Sequence, residues 1–150
     1  MKDESEGPAA CDDNLGPFLA QQRNLIVAGT RADGRPHVTP NWFSWDGERF
    51  YVSTTRGRLK YTIFRRDPRA QLVLDDPAGL RAVLIPATVE IREDTAAELS
   101  RFRAIREKYG LDELGDQEHL ESLTAEGRVL LVITPDGPPR SWTSWGFDYG

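Results

Sequence analysis

Residues 24–53 read NLIVAGTRADGRPHVTPNWFSWDGERFYVS. Asn24 to Thr30 is a short apolar run, the pattern of a buried strand. Ala32-Asp33-Gly34-Arg35 follows, and Asp-Gly is the strongest short hairpin signal. His37 to Trp45 is rich in aromatic and β-branched residues and reads as extended, with Pro40 marking a bulge or an edge. Asp46-Gly47 makes a second tight turn, and Arg49 to Ser53 forms a third strand. Three strands joined by two tight turns predict a β-meander.

On the N-terminal side, Gly16 to Gln22 predicts a short helix with Pro17 in its first turn. Residues 1–13 are acidic and lack an apolar signal core, so they are expected to form a disordered tail outside a domain spanning 14–150. Cys11 stands alone there, which leaves no disulfide frame and no cysteine metal cluster. A reduced, cytoplasmic setting is the expectation.

On the C-terminal side, RLKYTIFRR (58–66) predicts a helix with Leu59 and Ile63 on one face, ended by Asp67-Pro68. AQLVLDD from Ala70 and AVLIPATVEI from Ala82 read as strands, the second interrupted at Pro86. Thr95 to Tyr109 predicts a helix with a Thr95–Glu98 capping box and a stripe of Leu99, Phe102 and Tyr109. A second helix is expected over Gln117 to Ala125, capped by Asp116 and closed by Gly127. Arg128 to Thr134 is a further strand, and the tail RSWTSWGF adds a last one. The chain therefore reads as mainly β with short helices. Six or seven mostly antiparallel strands would close into a small barrel, and the helical pair would plug an end or cover a side.

At 150 residues the chain has room for one domain and one core. Its formal net charge of −5 disfavours nucleic-acid binding, which needs a broad basic surface. No apolar run approaches the roughly 20 residues of a membrane helix. Against this acidic background TTRGRLK (54–60) is unusual. Ser53, Thr54 and Thr55 offer hydroxyls, Gly57 leaves the backbone open, and Arg56, Arg58 and Lys60 bring charge. Residues 58–60 open a helix, whose free N–H groups favour an anion. The stretch suits a phosphate, although charge runs are often no more than solvated faces. It is not a Walker loop, because GxxxxGK[ST] is absent.

Residues 24–77 hold, in order, strand, Asp-Gly-Arg-Pro turn, aromatic strand, Ser-Thr-Thr, Gly-Arg-Leu-Lys, Arg-Arg-Asp-Pro-Arg and Asp-Asp-Pro. In this order they resemble the pyridoxamine 5′-phosphate oxidase-like superfamily of split barrels, closest to its deazaflavin (coenzyme F-420)-dependent oxidoreductases. The resemblance implies a split-barrel homodimer with cofactor sites at the subunit interface. It implies that Ser53, Thr54, Thr55, Arg56, Gly57, Arg58 and Lys60 grip the cofactor phosphate. Thr39, Pro40, Asn41 and Trp42 would run along the flat ring, and late strands of the partner would bring Trp142 and Trp145 to the site. Arg31, Arg35, Arg56 and Arg81 are candidates for the acidic tail of coenzyme F-420.

The implied activity is hydride transfer to a small unsaturated or aromatic compound. FMN in the same fold is the first alternative, and a carrier or store of a cofactor or haem is the second. A structural dimer with no ligand is the third. No GxSxG elbow or Ser-His-Asp set is present, so no side-chain nucleophile is expected. Water, His37 or Tyr51 could supply a proton. His37 otherwise reads as a strand-end residue and His119 as a solvated helix residue, and two scattered histidines argue against a metal site. Asp76 is a further candidate for the cofactor site. With Asp75 it also fits a turn, or an ion pair to Arg66 or Arg69. Trp42 and Trp45, three apart in one strand, should face opposite sides.

Overall fold

A computed structural model describes residues 13–147, so Cys11 lies outside the described residues. The elements in chain order are α1 (Leu15–Gln21), β1 (Leu25–Thr30), β2 (Pro36–Asn41), β3 (Ser44–Trp45) and β4 (Phe50–Thr55). Then come α2 (Leu59–Arg66), β5 (Arg69–Asp75), β6 (Ala82–Arg92), α3 (Leu99–Lys108) and α4 (Asp116–Glu126). β7 (Arg128–Pro135), a 3-10 turn (Pro139–Ser141) and β8 (Thr143–Trp145) complete the chain.

All eight strands join one antiparallel sheet in the order β2-β1-β5-β6-β7-β4-β3, with β8 beside β6. This is the mainly β half-barrel of a split-barrel fold. Both predicted Asp-Gly turns form. Gly34 and Gly47 take φ of +87° and +96°, and the preceding aspartates accept backbone N–H groups of the turn.

The expected meander forms with its middle strand split in two: residues 36–41 pair with β1 and residues 44–45 with β4. β2 pairs with β1 at one end of the sheet, while β3 and β4 lie at the other end, where β4 pairs with β7. The extended run 36–45 is broken at Trp42 and Phe43. Phe43 is fully buried in the core, and its N–H goes to the Tyr109 hydroxyl at 3.0 Å rather than to a neighbouring strand. One extended segment thus carries the two ends of the sheet.

β6 runs through Pro86 without a break. The Pro86 carbonyl accepts the Asp136 N–H at 2.9 Å, on the edge away from β5. Its missing N–H faces that same edge, between the stretch paired with β8 (82–84) and the stretch paired with β7 (87–92).

Two cores fill the structure. The main one includes Leu25, Val27, Phe43, Phe50, Leu72, Ile85, Leu131 and Ile133. The second joins Tyr51, Leu130 and Val132 of the sheet's other face to Phe102 and Ile105 of α3 and Leu123 of α4. β7 is therefore apolar on both faces, and the helical pair covers a side of the sheet instead of plugging an end. Burying each such leucine or isoleucine contributes ~1.5–3 kcal/mol.

The helices differ from expectation at their starts. α3 begins at Leu99, after a turn over residues 95–98. Asp94, not Thr95, accepts the N–H of Ala97 (3.1 Å) at the head of that turn. A carboxylate one residue earlier displaces the predicted capping box. In α4, Gly115 is the N-cap and Asp116 the first helical residue, where it receives Arg103, and Gly127 closes the helix at φ +66°. Trp142 is 8% exposed within its own chain's core and donates its indole N–H to the Gly137 carbonyl (2.9 Å). It is thus not available to a partner's site, whereas Trp145 is exposed.

Candidate functional site

A cleft of about 410 Å³ lies where the two ends of the sheet approach the helical pair. One wall is Pro40, Asn41 and Trp42, from the end of β2 and the break after it. Beside it stand Ser53 and Thr54 of β4, then Arg58 and Lys60 at the start of α2. The chain reverses direction here because Arg58 N–H bonds back to the Thr55 carbonyl (3.1 Å) and Arg56 N–H to the Gly127 carbonyl (3.0 Å).

α2 has no side-chain cap, so its first turn presents backbone donors that no side chain covers. Among the described residues neither Arg58 nor Lys60 has a carboxylate partner. Burial lowers the pKa of Lys60, and the Arg58 guanidinium lowers it further. Two uncompensated cations beside an uncapped helix start are electrostatically strained without an anion. These residues fit a phosphate-bearing group.

Thr39, Thr55, Arg56, Gly57 and Asp76 do not line the cleft. Thr39 takes the Asn41 side-chain amide on its carbonyl (2.9 Å), which helps hold the buried Asn41 in place. Arg56 pairs with Glu93 at 3.0 Å, and Tyr61 donates to the same carboxylate at 2.8 Å. Gly57 has room for a Cβ and no left-handed φ. Asp76 organises the turn between β5 and β6, accepting the Leu80 N–H (3.1 Å) and pairing with Arg81 (3.2 Å). Burial alone would raise its pKa, but the Leu80 N–H, Arg81 and the Gly79 N–H hold it below the usual value. The expected pairing with Arg66 or Arg69 does not occur. Arg66 caps the Thr30 carbonyl, and Arg69 forms a two-residue clamp with Asp67.

Of the other arginines proposed for an acidic tail, Arg31 and Arg81 are also engaged, whereas the Arg35 side chain has no partner among the described residues. Arg31 is 3.9 Å from Asp33 and Arg81 holds Asp76. Of the suggested proton sources, neither side chain, His37 or Tyr51, lines the cleft. The Tyr51 hydroxyl donates to Asp46 (2.6 Å) under the Arg101 guanidinium. His37 sits near Lys60 and Arg31, and burial followed by those charges lowers its pKa.

The opposite wall comes from α3, α4 and the segment between them, and includes Phe102, Ile105, Arg106, Leu111, His119 and Leu123. His119 is 4% exposed, contrary to its reading as a solvated residue. A signal for this existed: His119 and Leu123 stand four apart in a helix, so they share a face, and Leu123 is core. Arg128 also reaches the cleft, but Glu126 takes it at 2.8 Å.

Trp42 is held at the cleft by Tyr109. The two rings stack, and the Tyr109 hydroxyl donates to the Arg23 carbonyl (2.7 Å) while it accepts the Phe43 N–H. Trp45, by contrast, packs against Phe50 at the core.

Several solved structures share this architecture. A conserved hypothetical protein from Mycobacterium tuberculosis is 25% identical, with 99% of this chain and 86% of that chain covered and a TM-score of 0.71. An F420 reductase is 23% identical, with 89% and 95% covered and a TM-score of 0.65. The haem storage protein HutZ from Vibrio cholerae is 17% identical, with 89% and 94% covered and a TM-score of 0.69. Below 25% identity the likeness is one of fold. A sequence-family model described as pyridoxamine 5′-phosphate oxidase matches residues 11–137. The chain belongs to the pyridoxamine 5′-phosphate oxidase family.

Proposed function

We propose that the protein is an oxidoreductase that binds a deazaflavin, coenzyme F-420, and transfers hydride to a small unsaturated or aromatic compound. The observation that carries this reading is the convergence of Ser53, Thr54, Arg58 and Lys60 with Asn41 and Trp42 on one cleft. The hydroxyls, the uncapped start of α2 and the two cations would hold the phosphate. Pro40, Asn41 and Trp42 would flank the ring. When bound, the cofactor supplies the hydride, and the protein supplies position and exclusion of water. The similarity to an F420 reductase supports the choice of cofactor.

FMN is the second reading, and one observation favours it. Arg31, Arg56 and Arg81 are occupied by Asp33, Glu93 and Asp76, which leaves less free charge for a polyglutamate tail. A cofactor ending in a single phosphate needs only Arg58 and Lys60.

The working unit on this reading is a homodimer with a cofactor site at each interface. Trp42 and Leu111 both line the cleft, yet each is 42% exposed, which suits cover from a second chain. Light scattering should return twice the chain mass, and a monomer would remove this part of the reading.

Titrating the purified protein with coenzyme F-420 and with FMN tests the cofactor. Tighter binding of coenzyme F-420 supports the first reading and tighter binding of FMN the second. Binding of neither overturns both.

A further inference from the structure

The cations near the phosphate end of the cleft do not stop at Arg58 and Lys60. Arg128 opens β7 directly opposite Thr55 of β4, on the sheet face that also carries Ser53. It lines the cleft, and its guanidinium donates to the Ser53 Oγ at 3.5 Å. The Nε of the same guanidinium donates to Glu126 at 2.8 Å. Among the described residues, Glu126 is the one carboxylate in the cleft lining.

Gly127 brings these two side chains together. It closes α4 at φ +66°, so the chain reverses between Glu126 and Arg128. The Gly127 carbonyl also accepts the Arg56 N–H at 3.0 Å, which ties this corner to the loop before α2.

Glu126 stands where a helix least favours it. It is the last residue of α4, at the end where backbone carbonyls concentrate negative charge, and no basic residue lies in that last turn. Arg128 offsets this from outside the helix. The pair is weakly held, because the side chains of Arg128 and Glu126 are 33% and 51% exposed and water screens them. A phosphate offers the guanidinium more. It carries a larger charge than a carboxylate, and its oxygens accept two N–H groups of one guanidinium at once. Glu126 has open solvent to turn into, while the Ser53 contact keeps Arg128 on the cleft side.

We infer that Arg128 is a third cation of the phosphate site, latched by Glu126, and that an incoming phosphate displaces the carboxylate and takes the guanidinium. The inference rests on the cofactor reading, which places a phosphate among Ser53, Thr54, Arg58 and Lys60. Capture then has two stages: Arg58 and Lys60 attract the anion, and Arg128 closes on it as Glu126 leaves.

Inorganic phosphate is the probe, titrated by calorimetry at constant ionic strength, with FMN and coenzyme F-420 titrated in parallel. Thermal melts show whether each variant folds, and Arg128→Gln replaces Arg128→Met if the latter does not. Arg128→Met should weaken phosphate binding about tenfold, and Glu126→Gln should strengthen it about threefold. In the Arg128→Met background the gain from Glu126→Gln should vanish, because no latch remains to open. The same gain in both backgrounds overturns the inference, since Glu126 is then only a nearby negative charge. Unchanged phosphate binding by folded Arg128→Met also overturns it; if Lys60→Ala weakens binding in the same series, the cofactor reading survives that failure. No phosphate binding to the wild type overturns it as well. If phosphate binds in an Arg128-dependent, Glu126-opposed way and neither cofactor binds, the latch stands and the cofactor reading falls.

Discussion

Trp42 lies flat on Tyr109, ring centroids 4.3 Å apart and planes 4° from parallel. Tyr109 ends α3 and Trp42 sits in the break between β2 and β3, so the pair ties the helical wall of the cleft to its sheet wall. Arg23 adds its guanidinium 5.5 Å from the Tyr109 ring. Tyr109→Phe keeps the stack but leaves the Phe43 N–H without its acceptor, which should cost ~1–3 kcal/mol of stability. Tyr109→Ala loses the stack as well, at a further ~0.5–1.5 kcal/mol, and frees Trp42. Urea titrations measure the stability, and the Trp emission of Tyr109→Ala should move to longer wavelength.

Lys60→Ala removes one of two cations at the phosphate end. A charge-assisted contact contributes ~1.5–3 kcal/mol, so cofactor affinity should fall roughly ten- to hundredfold. The thermal midpoint of the ligand-free protein should not fall, because the substitution also relieves repulsion with Arg58. Wild-type affinity should drop as salt rises, and less steeply in Lys60→Ala. An affinity that ignores both the substitution and the salt would remove the phosphate assignment.

Gly29→Ala reaches the site from behind. A Cβ there would stand 2.8 Å from Ile63 Cγ2 and 3.0 Å from the Phe64 ring, both on α2. Overpacking of this kind costs ~1–3 kcal/mol. Relief requires α2 to move, and its start carries Arg58 and Lys60. Stability and cofactor affinity should therefore fall together, which parallel melts and titrations would register.

The lead-in to α3 separates two cap assignments. Asp94→Ala should destabilise the protein by ~0.5–2 kcal/mol, the range for a lost capping acceptor. Thr95→Ala should change it by no more than about 0.5 kcal/mol, as for a surface substitution. Equal effects in chemical denaturation would contradict the arrangement in which Asp94 accepts the Ala97 N–H.

Lys108 gives a pH signature. Burial lowers its pKa to about 8, and its Nζ has no hydrogen-bond partner, although it sits 3.3 Å from the centre of the Phe43 ring. Below pH 8 both folded and unfolded states hold the proton, and the folded state carries the full desolvation penalty. Between about 8 and 10.5 only the unfolded state holds it, so stability from this group rises with pH; above 10.5 the penalty is gone. Lys108→Met should be more stable than the wild type at pH 7. The gap should close as pH climbs through that window, as read from denaturation midpoints on both proteins.

Strands and tight turns were legible because their signals are local. Asp33-Gly34 and Asp46-Gly47 demand their turns whatever the sheet order, and short apolar runs mark β1 and β5. The second partner of β4 was not legible. Its pairing with β7 joins residues more than 70 apart in the chain, and nothing between Phe50 and Thr55 specifies that choice. The phosphate end of the cleft could be read because its donors are contiguous, Ser53 to Lys60. The far wall is assembled from α3, α4 and the segment between them, so His119 looked solvated among Glu118 and Glu121 until tertiary packing buried it. Asp76 shows a local rival winning, since Leu80 and Arg81 lie closer along the chain than Arg66.

A single ribbon, residues 36–45, hems both borders of the sheet, and this has a kinetic consequence. The β3–β4 hairpin can draw Trp42 towards Ser53 early, but the helical wall of the cleft joins them only once β7 has paired with β4, across more than 70 residues. Ligand recognition should thus emerge only in the last refolding phase, slowed by distant pairings. A captured guest would in turn slow amide exchange across the entire sheet instead of protecting one loop.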